Sequence, residues 1–283
     1  MGLGGLLMWT AAARAVIKNS GHPDLKILPI ESTSNSNIVK VINSEVFINN
    51  DDFVLSQGTG NYLTFPIVLN DPRTNYCKSD TPERAIHRHD RHVIQQICEN
   101  YGILNPELKC VLKFTDTEFF KAADFLVKVE HSENRFIVIE PNVKNEYGIN
   151  KEYPLDKWQR VVDSFPDEKF IQVGTERSKR LSNVIDLCGK TTFREAAQII
   201  GMSKLFVGSE GGLMHASNAV NTQAVIIVTG FLHPTMTCYP ENDNIWIGAD
   251  HGPCGMKIKC DKCNSNAVLH DPDEIVQAIR RRI

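Results

Sequence analysis

Between residues 135 and 230, short apolar runs alternate with amphipathic segments, and this alternation limits the possible folds more than any other feature of the chain. "RFIVIEP", "KFIQVGT", "KLFVGS" and "QAVIIVTG" are near-continuous apolar runs of strand length. Strands of that kind are buried on both faces, as in a parallel sheet covered by helices. The segments between them, "PLDKWQRVVDSF", "ERSKRLSNVI", "TTFREAAQIIGMS" and "GGLMHASNAV", read as helices, and "DPDEIVQAIRRRI" reads as a closing one. "VIDLCGK" reads as a short strand or loop. The pattern predicts an α/β fold with a parallel sheet wound by helices on both faces, and ligands in such sheets bind at the C-terminal ends of the strands.

The first half repeats the pattern less regularly. "TAAARAVIKN" reads as a helix and "LKILPI" as a strand, followed by the short pieces "SNIVKVIN", "EVFINN" and "DFVLS". "PERAIHRHDRHVIQQICENYG" is predicted as one long helix capped by Gly102, and "DTEFFKAADFLVKV" as another, opened by an Asp or Thr cap. The polar patch "EHSENR" separates the halves. A chain of 283 residues has room for two domains. The predicted division is 1–133 and 134–283, giving two Rossmann-like domains.

Composition excludes several classes of function. With 31 basic and 34 acidic residues, no net field draws the chain to nucleic acid or to an anionic membrane. No apolar run approaches the roughly 20 residues that a spanning helix needs. The apolar start "MGLGGLLMWTAAARAV" lacks the basic region of a signal peptide. Eight cysteines in a chain of this length do not make a disulfide scaffold. The expectation is a reduced, cytoplasmic protein.

The stretch "GSEGGLMHASNAV" ends one predicted strand and at once begins a helix. Gly211 and Gly212 permit a tight turn and close approach of a ligand to the backbone. The helix start presents free N–H groups and a positive dipole end, which suits a phosphate. Glu210 is expected to accept hydrogen bonds from hydroxyls or a backbone N–H, and His215, one turn on, can face the same pocket. The bland alternative is a simple strand-to-helix turn with His215 packed in the core.

The second half resembles the glycosyltransferase family that includes the lipopolysaccharide heptosyltransferases (family nine, GT-B fold). "EGGLMH" is similar to the family's D-[ST]-G-x-x-H element, with Glu210 for Asp and Gly211 for Ser or Thr. "GKTTFREAAQIIGMSKLFVGSEGG" resembles the run that leads into that element. "VIEPNVKN" and "KEYPLDKW" resemble the strand, polar loop and K-x-W-P-x-x-x-W element, with Tyr153 for the first Trp. "VGTERSKRL", the Cys-bearing tail and the opening "GLGGLLMWTAAARAV" are also similar to family segments. The likeness is specific over about residues 137 to 283, fair over the first 16 and weak between.

The resemblance implies two domains facing across a cleft and an inverting transfer that needs no metal or other cofactor. By the same resemblance Lys151 meets the donor diphosphate and Glu176 the ribose. Glu210, Gly211 and Gly212 line the sugar and phosphate site, with His215 beside it. Asn142 and Lys144 lie on a loop expected to touch phosphate or sugar. A lysine and a helix N-terminus can stabilise a diphosphate leaving group without a metal. The implied partners are a nucleotide-diphosphate sugar and a glycan or glycolipid acceptor, with no nucleic acid. Membrane association is peripheral, through the acceptor.

The opening loop departs from the family. Where relatives carry Gly-Asp, with the Asp as general base, this chain has Gly4-Gly5. No base is assigned; Glu31 and Asp71 are candidates without a motif around them. The first strand of a Rossmann domain normally precedes this loop, so the N-terminal domain is expected to lack it. The predicted function is a sugar transfer, the sugar being a heptose by family analogy, in lipopolysaccharide-type biosynthesis. The alternatives are a non-catalytic nucleotide-sugar or glycan-binding protein of the same fold, or a GT-B nucleotide-sugar epimerase.

Two side-chain clusters stand apart from these motifs. His87, His89 and His92 in "HRHDRH" read as a solvated helix face, though His89 and His92 at helical spacing can ligate a metal. His251, Cys254, Cys260 and Cys263, with a Cys-x2-Cys pair, either hold tetrahedral Zn²⁺ or remain reduced loop thiols.

Overall fold

The computed structural model describes residues 2–33, 36–56, 62–74, 79–85, 88–128, 136–143 and 148–283. The predicted domain boundary near residue 133 lies outside them, as do Lys144 and His87.

Helix α1 (Leu3–Ser20) opens the described chain and ends at Gly21, whose φ of 72° supplies the left-handed cap. Gly4 and Gly5 therefore lie in the first turn of a helix. The expectation that they form a strand-to-helix loop is corrected: Gly2 is the N-cap, and the amide of Leu6 already donates to the Gly2 carbonyl at 3.1 Å. Strand β1 (Lys26–Thr33) pairs antiparallel with β2 (Ser36–Val41) and parallel with β3 (Thr64–Val68), in the order β2-β1-β3.

The single helix predicted over residues 82–102 is not found. A short ribbon of β4 (Ser79–Thr81) and β5 (Arg84–Ala85) precedes α2, which spans only Val93–Glu99. His92 ends the helical run by capping it. Its Nδ1 accepts from the Ile94 amide at 3.1 Å while the Gln95 side chain accepts from the His92 amide at 2.9 Å, a reciprocal capping box. Gln96 Nε2 donates back to the carbonyls of Arg88 and Arg91, holding the preceding segment as a fold-back. His89 and His92 thus do not share a helix face, and His92 is buried. The Gly102 cap is present, with φ 72° and the Ile103 amide donating to the Cys98 carbonyl at 3.0 Å. Helix α3 (Asp116–Lys128) starts on Thr115, whose hydroxyl accepts from the Glu118 amide at 3.2 Å.

The second half is a six-stranded parallel sheet. It comprises β6 (Phe136–Glu140), β7 (Lys169–Gln172), β8 (Ile185–Asp186), β9 (Leu205–Ser209), β10 (Ala224–Val228) and β11 (Asp243–Trp246), in the order β11-β10-β9-β6-β7-β8. A 3₁₀ turn at Ile149–Lys151 and helix α4 (Leu155–Asp163, with Pro154 at the N-cap) follow β6. Helix α5 (Phe193–Gly201) carries a Thr192–Glu195 capping box, as the sequence predicts. Helix α6 (Gly212–Ala219) follows β9, the short α7 (Pro234–Thr237) follows β10, and α8 (Asp261–Leu269) and α9 (Asp273–Arg280) close the chain.

The helix predicted over residues 176–185 is absent. Side chains take the amides that a helix would use: Asn142 Oδ1 accepts from the Lys179 amide and Gln172 Oε1 from the Leu181 amide, each at 2.9 Å.

Side chains of β6 alternate between two apolar clusters, as strand geometry requires. Ile137 and Ile139 pack with Trp158, Val161, Ile275 and Ile279. Phe136 and Val138 join a larger cluster that continues through Phe206 and Met214 to Leu7, Trp9, Ile67 and Leu126, so the two halves share apolar core. Arg194 of α5 adds a buried polar tie. It donates to both carboxylate oxygens of Glu118, at 2.6 and 3.0 Å, and to the carbonyls of Glu45 and Lys113, at 2.8 and 2.6 Å.

Candidate donor site

The order β11-β10-β9-β6-β7-β8 reverses direction between β6 and β9. Chains wound this way open a crevice at the reversal, beyond the C-terminal ends of the two strands. A cavity of about 190 Å³ lies there, lined by Glu140, Asn142, Val143, Gly148, Lys151, Ser209, Glu210, Gly211 and Gly212. Five of the residues singled out in the sequence therefore meet in one place: Asn142, Lys151, Glu210, Gly211 and Gly212.

Lys151 leaves the 3₁₀ turn to form an ion pair with Glu210 Oε2, and its ammonium also lies 5.2 Å from the centre of the Phe231 ring. Burial alone drives the Glu210 carboxyl upward, but the charge and hydrogen bond of Lys151 outweigh it and hold Glu210 below its usual value, hence ionised. The expected role of Glu210 as an acceptor is met by an ammonium rather than by a backbone amide.

The two glycines are not there for strain. Gly211 has φ 176° and ψ −166°, an extended conformation open to any residue. An added Cβ would find its nearest neighbour at 3.9 Å from Gly211 and 3.6 Å from Gly212, ordinary contacts. Internal packing therefore does not require glycine at either position, and what the missing side chains leave clear is the cavity itself. No side chain caps the start of α6. Ser209 is buried and its hydroxyl has no hydrogen-bond partner.

His215 is not on the cavity wall. It is buried behind it, with Nδ1 2.7 Å from the Tyr239 hydroxyl, which in turn lies 3.0 Å from Cys110 Sγ. Burial lowers its imidazole to about 3, so it is neutral at physiological pH. Gly4 completes this contact: a Cβ there would lie 2.7 Å from the His215 ring and 3.2 Å from the Gly212 Cα. Gly4 thus lets α1 approach α6 directly beneath the cavity.

Asn142 lines the cavity yet spends its amide on the backbone of Lys179, which it grips from both ends. Glu176 is exposed on the turn after β7 and is not among the lining residues; its carbonyl accepts from Arg180 at 3.2 Å. Of the candidate bases, Asp71 is buried and bonded to Arg73 at 2.6–3.0 Å, which keeps its carboxyl low. Glu31 stands opposite Lys40 in the β1–β2 ladder.

Sequence reasoning missed Glu140. It ends the apolar strand β6 on the cavity wall, and burial pushes its carboxyl up to about 8. An acid closing an otherwise apolar parallel strand is the signal that marks it.

Comparison with known proteins places this geometry in a wider group. The family model described as glycosyltransferase family 9 (heptosyltransferase) matches residues 84–254. Among solved structures, a family 9 glycosyl transferase from Veillonella parvula DSM 2008 is similar over 99% of this chain and 94% of its own, at 12% identity and TM-score 0.68. The iron-containing dodecameric glycosyltransferase TibC from enterotoxigenic E. coli H10407 is similar over 99% of this chain and 74% of its own, at 12% identity and TM-score 0.66. The E. coli ADP-heptose lps heptosyltransferase II is similar over 70% of this chain and 64% of its own, at 15% identity and TM-score 0.51. No curated protein sequence matches significantly. These likenesses give the fold as GT-B, two Rossmann-like domains about a cleft. Among the described residues no helix is long and apolar enough to cross a membrane.

Proposed function

The chain belongs to glycosyltransferase family 9, and from that premise we propose that it moves a sugar from a nucleotide-diphosphate donor to a hydroxyl of a glycan or glycolipid, with inversion and without a catalytic metal. Residues 134–283 are the donor side and 1–133 the acceptor side. ADP-heptose, the donor in the name of one structural relative, is the first donor to try.

One observation carries the reading. A cation, an uncapped helix start, an unpartnered serine hydroxyl and two glycines that packing does not demand converge on one cavity at the sheet's switch point. Such a set suits a diphosphate and its sugar. Lys151 is shared between Glu210 and the phosphates, so Glu210 fixes the ammonium before the donor arrives, a preorganisation that favours charge developing on the leaving group. Glu140, protonated below about 8, donates to a donor oxygen rather than repelling it. His215, neutral and held by Tyr239, positions the α1–α6 contact instead of exchanging protons. Glu176 and Lys144 are assigned to the ribose and to the phosphate or sugar on the strength of the family pattern.

Gly5 favours a second reading, a nucleotide-sugar-binding protein that no longer catalyses. The discriminating experiment is release of free ADP from ADP-heptose with and without glycan acceptors. Acceptor-dependent release supports the transferase. Tight ADP-heptose binding with no release under any acceptor supports the binding protein. Absence of binding to every nucleoside diphosphate tried overturns both.

A further inference from the structure

We propose that His251, Cys254, Cys260 and Cys263 form a tetrahedral site for a thiolate-preferring transition-metal ion, zinc or iron, which pins the loop 251–263 against the segment that carries Lys151.

Three of the ligand atoms are already gathered, and the fourth, Cys254 Sγ, adjoins one of them. His251, Cys260 and Cys263 each offer one, all within 4.8 Å of one another. His251 Nε2 lies 3.4 Å from Cys263 Sγ, and Cys254 Sγ also lies 3.4 Å from Cys263 Sγ. Metal–sulfur bonds of about 2.3 Å and metal–nitrogen bonds of about 2.0–2.1 Å at tetrahedral angles set sulfurs about 3.8 Å apart and sulfur and nitrogen about 3.5 Å apart. The observed spacings are close to those values and far from the roughly 2.0 Å of a disulfide. The set combines one imidazole with three thiols and includes a Cys-x2-Cys pair, a composition that selects zinc or iron over magnesium or calcium.

The surroundings orient these ligands. His251 Nδ1 is bonded to Asp250 Oδ1 at 2.8 Å, and the same oxygen accepts from Asn266 at 2.5 Å. That carboxylate–histidine pair fixes the ring with Nε2 toward the thiols, the usual outer support of a metal-bound histidine. The Met256 amide donates to Cys254 Sγ at 3.4 Å. Gly230 clears the centre: a Cβ there would lie 2.5 Å from His251 Nε2 and 3.1 Å from Cys263 Sγ.

What the loop holds is Asn150, the neighbour of Lys151. Asn150 Nδ2 donates to the carbonyls of Met256 and Ile258 at 2.6 and 2.7 Å, and its Oδ1 accepts from the Cys260 amide at 2.7 Å. The hydroxyl of Thr229 donates to the Asn150 carbonyl at 2.6 Å. A metal that fixes Cys260 therefore fixes Asn150, and through the backbone the cation of the donor cavity. This second step rests on the donor reading above; the existence of the site does not.

The test is elemental analysis of the full chain purified under reducing conditions. The expected result is about one zinc or iron per chain, iron being distinguished by a visible thiolate-to-metal absorption band that zinc lacks. Cys263→Ser should lose the metal, while Cys98→Ser, at a buried thiol elsewhere, should keep it. Because a ligand variant can fail to fold, thiol labelling of the unaltered protein is the companion measurement. Cys254, Cys260 and Cys263 should label slowly, and at once after a chelator is added. Metal far below one equivalent, or a Cys254–Cys263 disulfide in the mass spectrum, overturns the site. ADP titration of metal-loaded and chelated protein reads the coupling: weaker ADP binding after chelation supports it, and equal binding overturns the link to Lys151 alone.

Discussion

At the C-terminal ends of β6 and β9 the structure leaves a buried serine hydroxyl without a partner, whereas beyond the end of β3 in the three-stranded sheet the buried acid Asp71 is already paired. Ser209 has no partner, and Gly211 and Gly212 would each admit a Cβ at ordinary contact distance. In the first half Asp71 is held by Arg73, and Glu31 faces Lys40 across a ladder. On the proposed reading, the difference teaches that the donor side is preformed in this chain, while the acceptor side, among the described residues, has its buried acid Asp71 tied to Arg73.

The sharpest way to break that comparison is Gly5→Asp. If the acceptor side lacks only its base, this change should raise turnover by roughly 10²–10⁴-fold, the usual contribution of a positioned base, with donor affinity little altered. A fall in turnover in a steady-state transfer assay would place the base elsewhere. Next in size is Arg194→Met, which removes the bonds to Glu118 and to two carbonyls in the contact between the halves. Glu118 keeps its bond from the Thr115 amide, so the cost is about 1.5–3 kcal/mol, the scale of a hydrogen bond to a charged group, measurable by denaturant unfolding. An unchanged midpoint would mean that the halves hold together by apolar packing alone.

Within the donor side, Lys151→Ala should weaken nucleoside diphosphate binding by about 1.5–3 kcal/mol in calorimetric titration, the scale of a charge-assisted hydrogen bond. Equal affinity would remove Lys151 from the site. The smallest expected effect belongs to Glu140. Its carboxyl sits near 8 because burial disfavours the anion, so it is neutral below that pH and charged above it. Diphosphate binding should weaken as the pH rises through about 8, by about 1 kcal/mol for a like charge some 4 Å away in water. Glu140→Gln should flatten the profile; a pH dependence that persists in the variant would assign it to another group.

Strands β6, β7, β9 and β10 were legible because each is a near-continuous apolar run, the pattern of a parallel sheet buried on both faces. Of the candidate donor site, the glycine pair with Glu210 and His215 was legible as a strand end followed at once by a helix start, whereas Lys151 came only through the resemblance to the family. The rest was hidden by side chains that replace helical hydrogen bonds. His92 cuts the run at 82–102 by capping it from within, and Asn142 and Gln172 hold residues 176–185 as a loop, although no periodicity announces either effect. Strand β11 and helix α8 escaped notice because one is four residues long and the other is polar, without an apolar stripe. Glu140 escaped because its meaning lies in its burial, which appears only once β9 is beside β6.

The apolar cluster that runs from Leu7 and Trp9 through Phe206 to Met214 also bears on how the chain comes apart. A half that borrows its core from its neighbour has no melting point of its own: opening it exposes surface on both. The expected unfolding is therefore one cooperative transition, with amides of α1 and α6 exchanging with deuterium at the same rate and by the same global event.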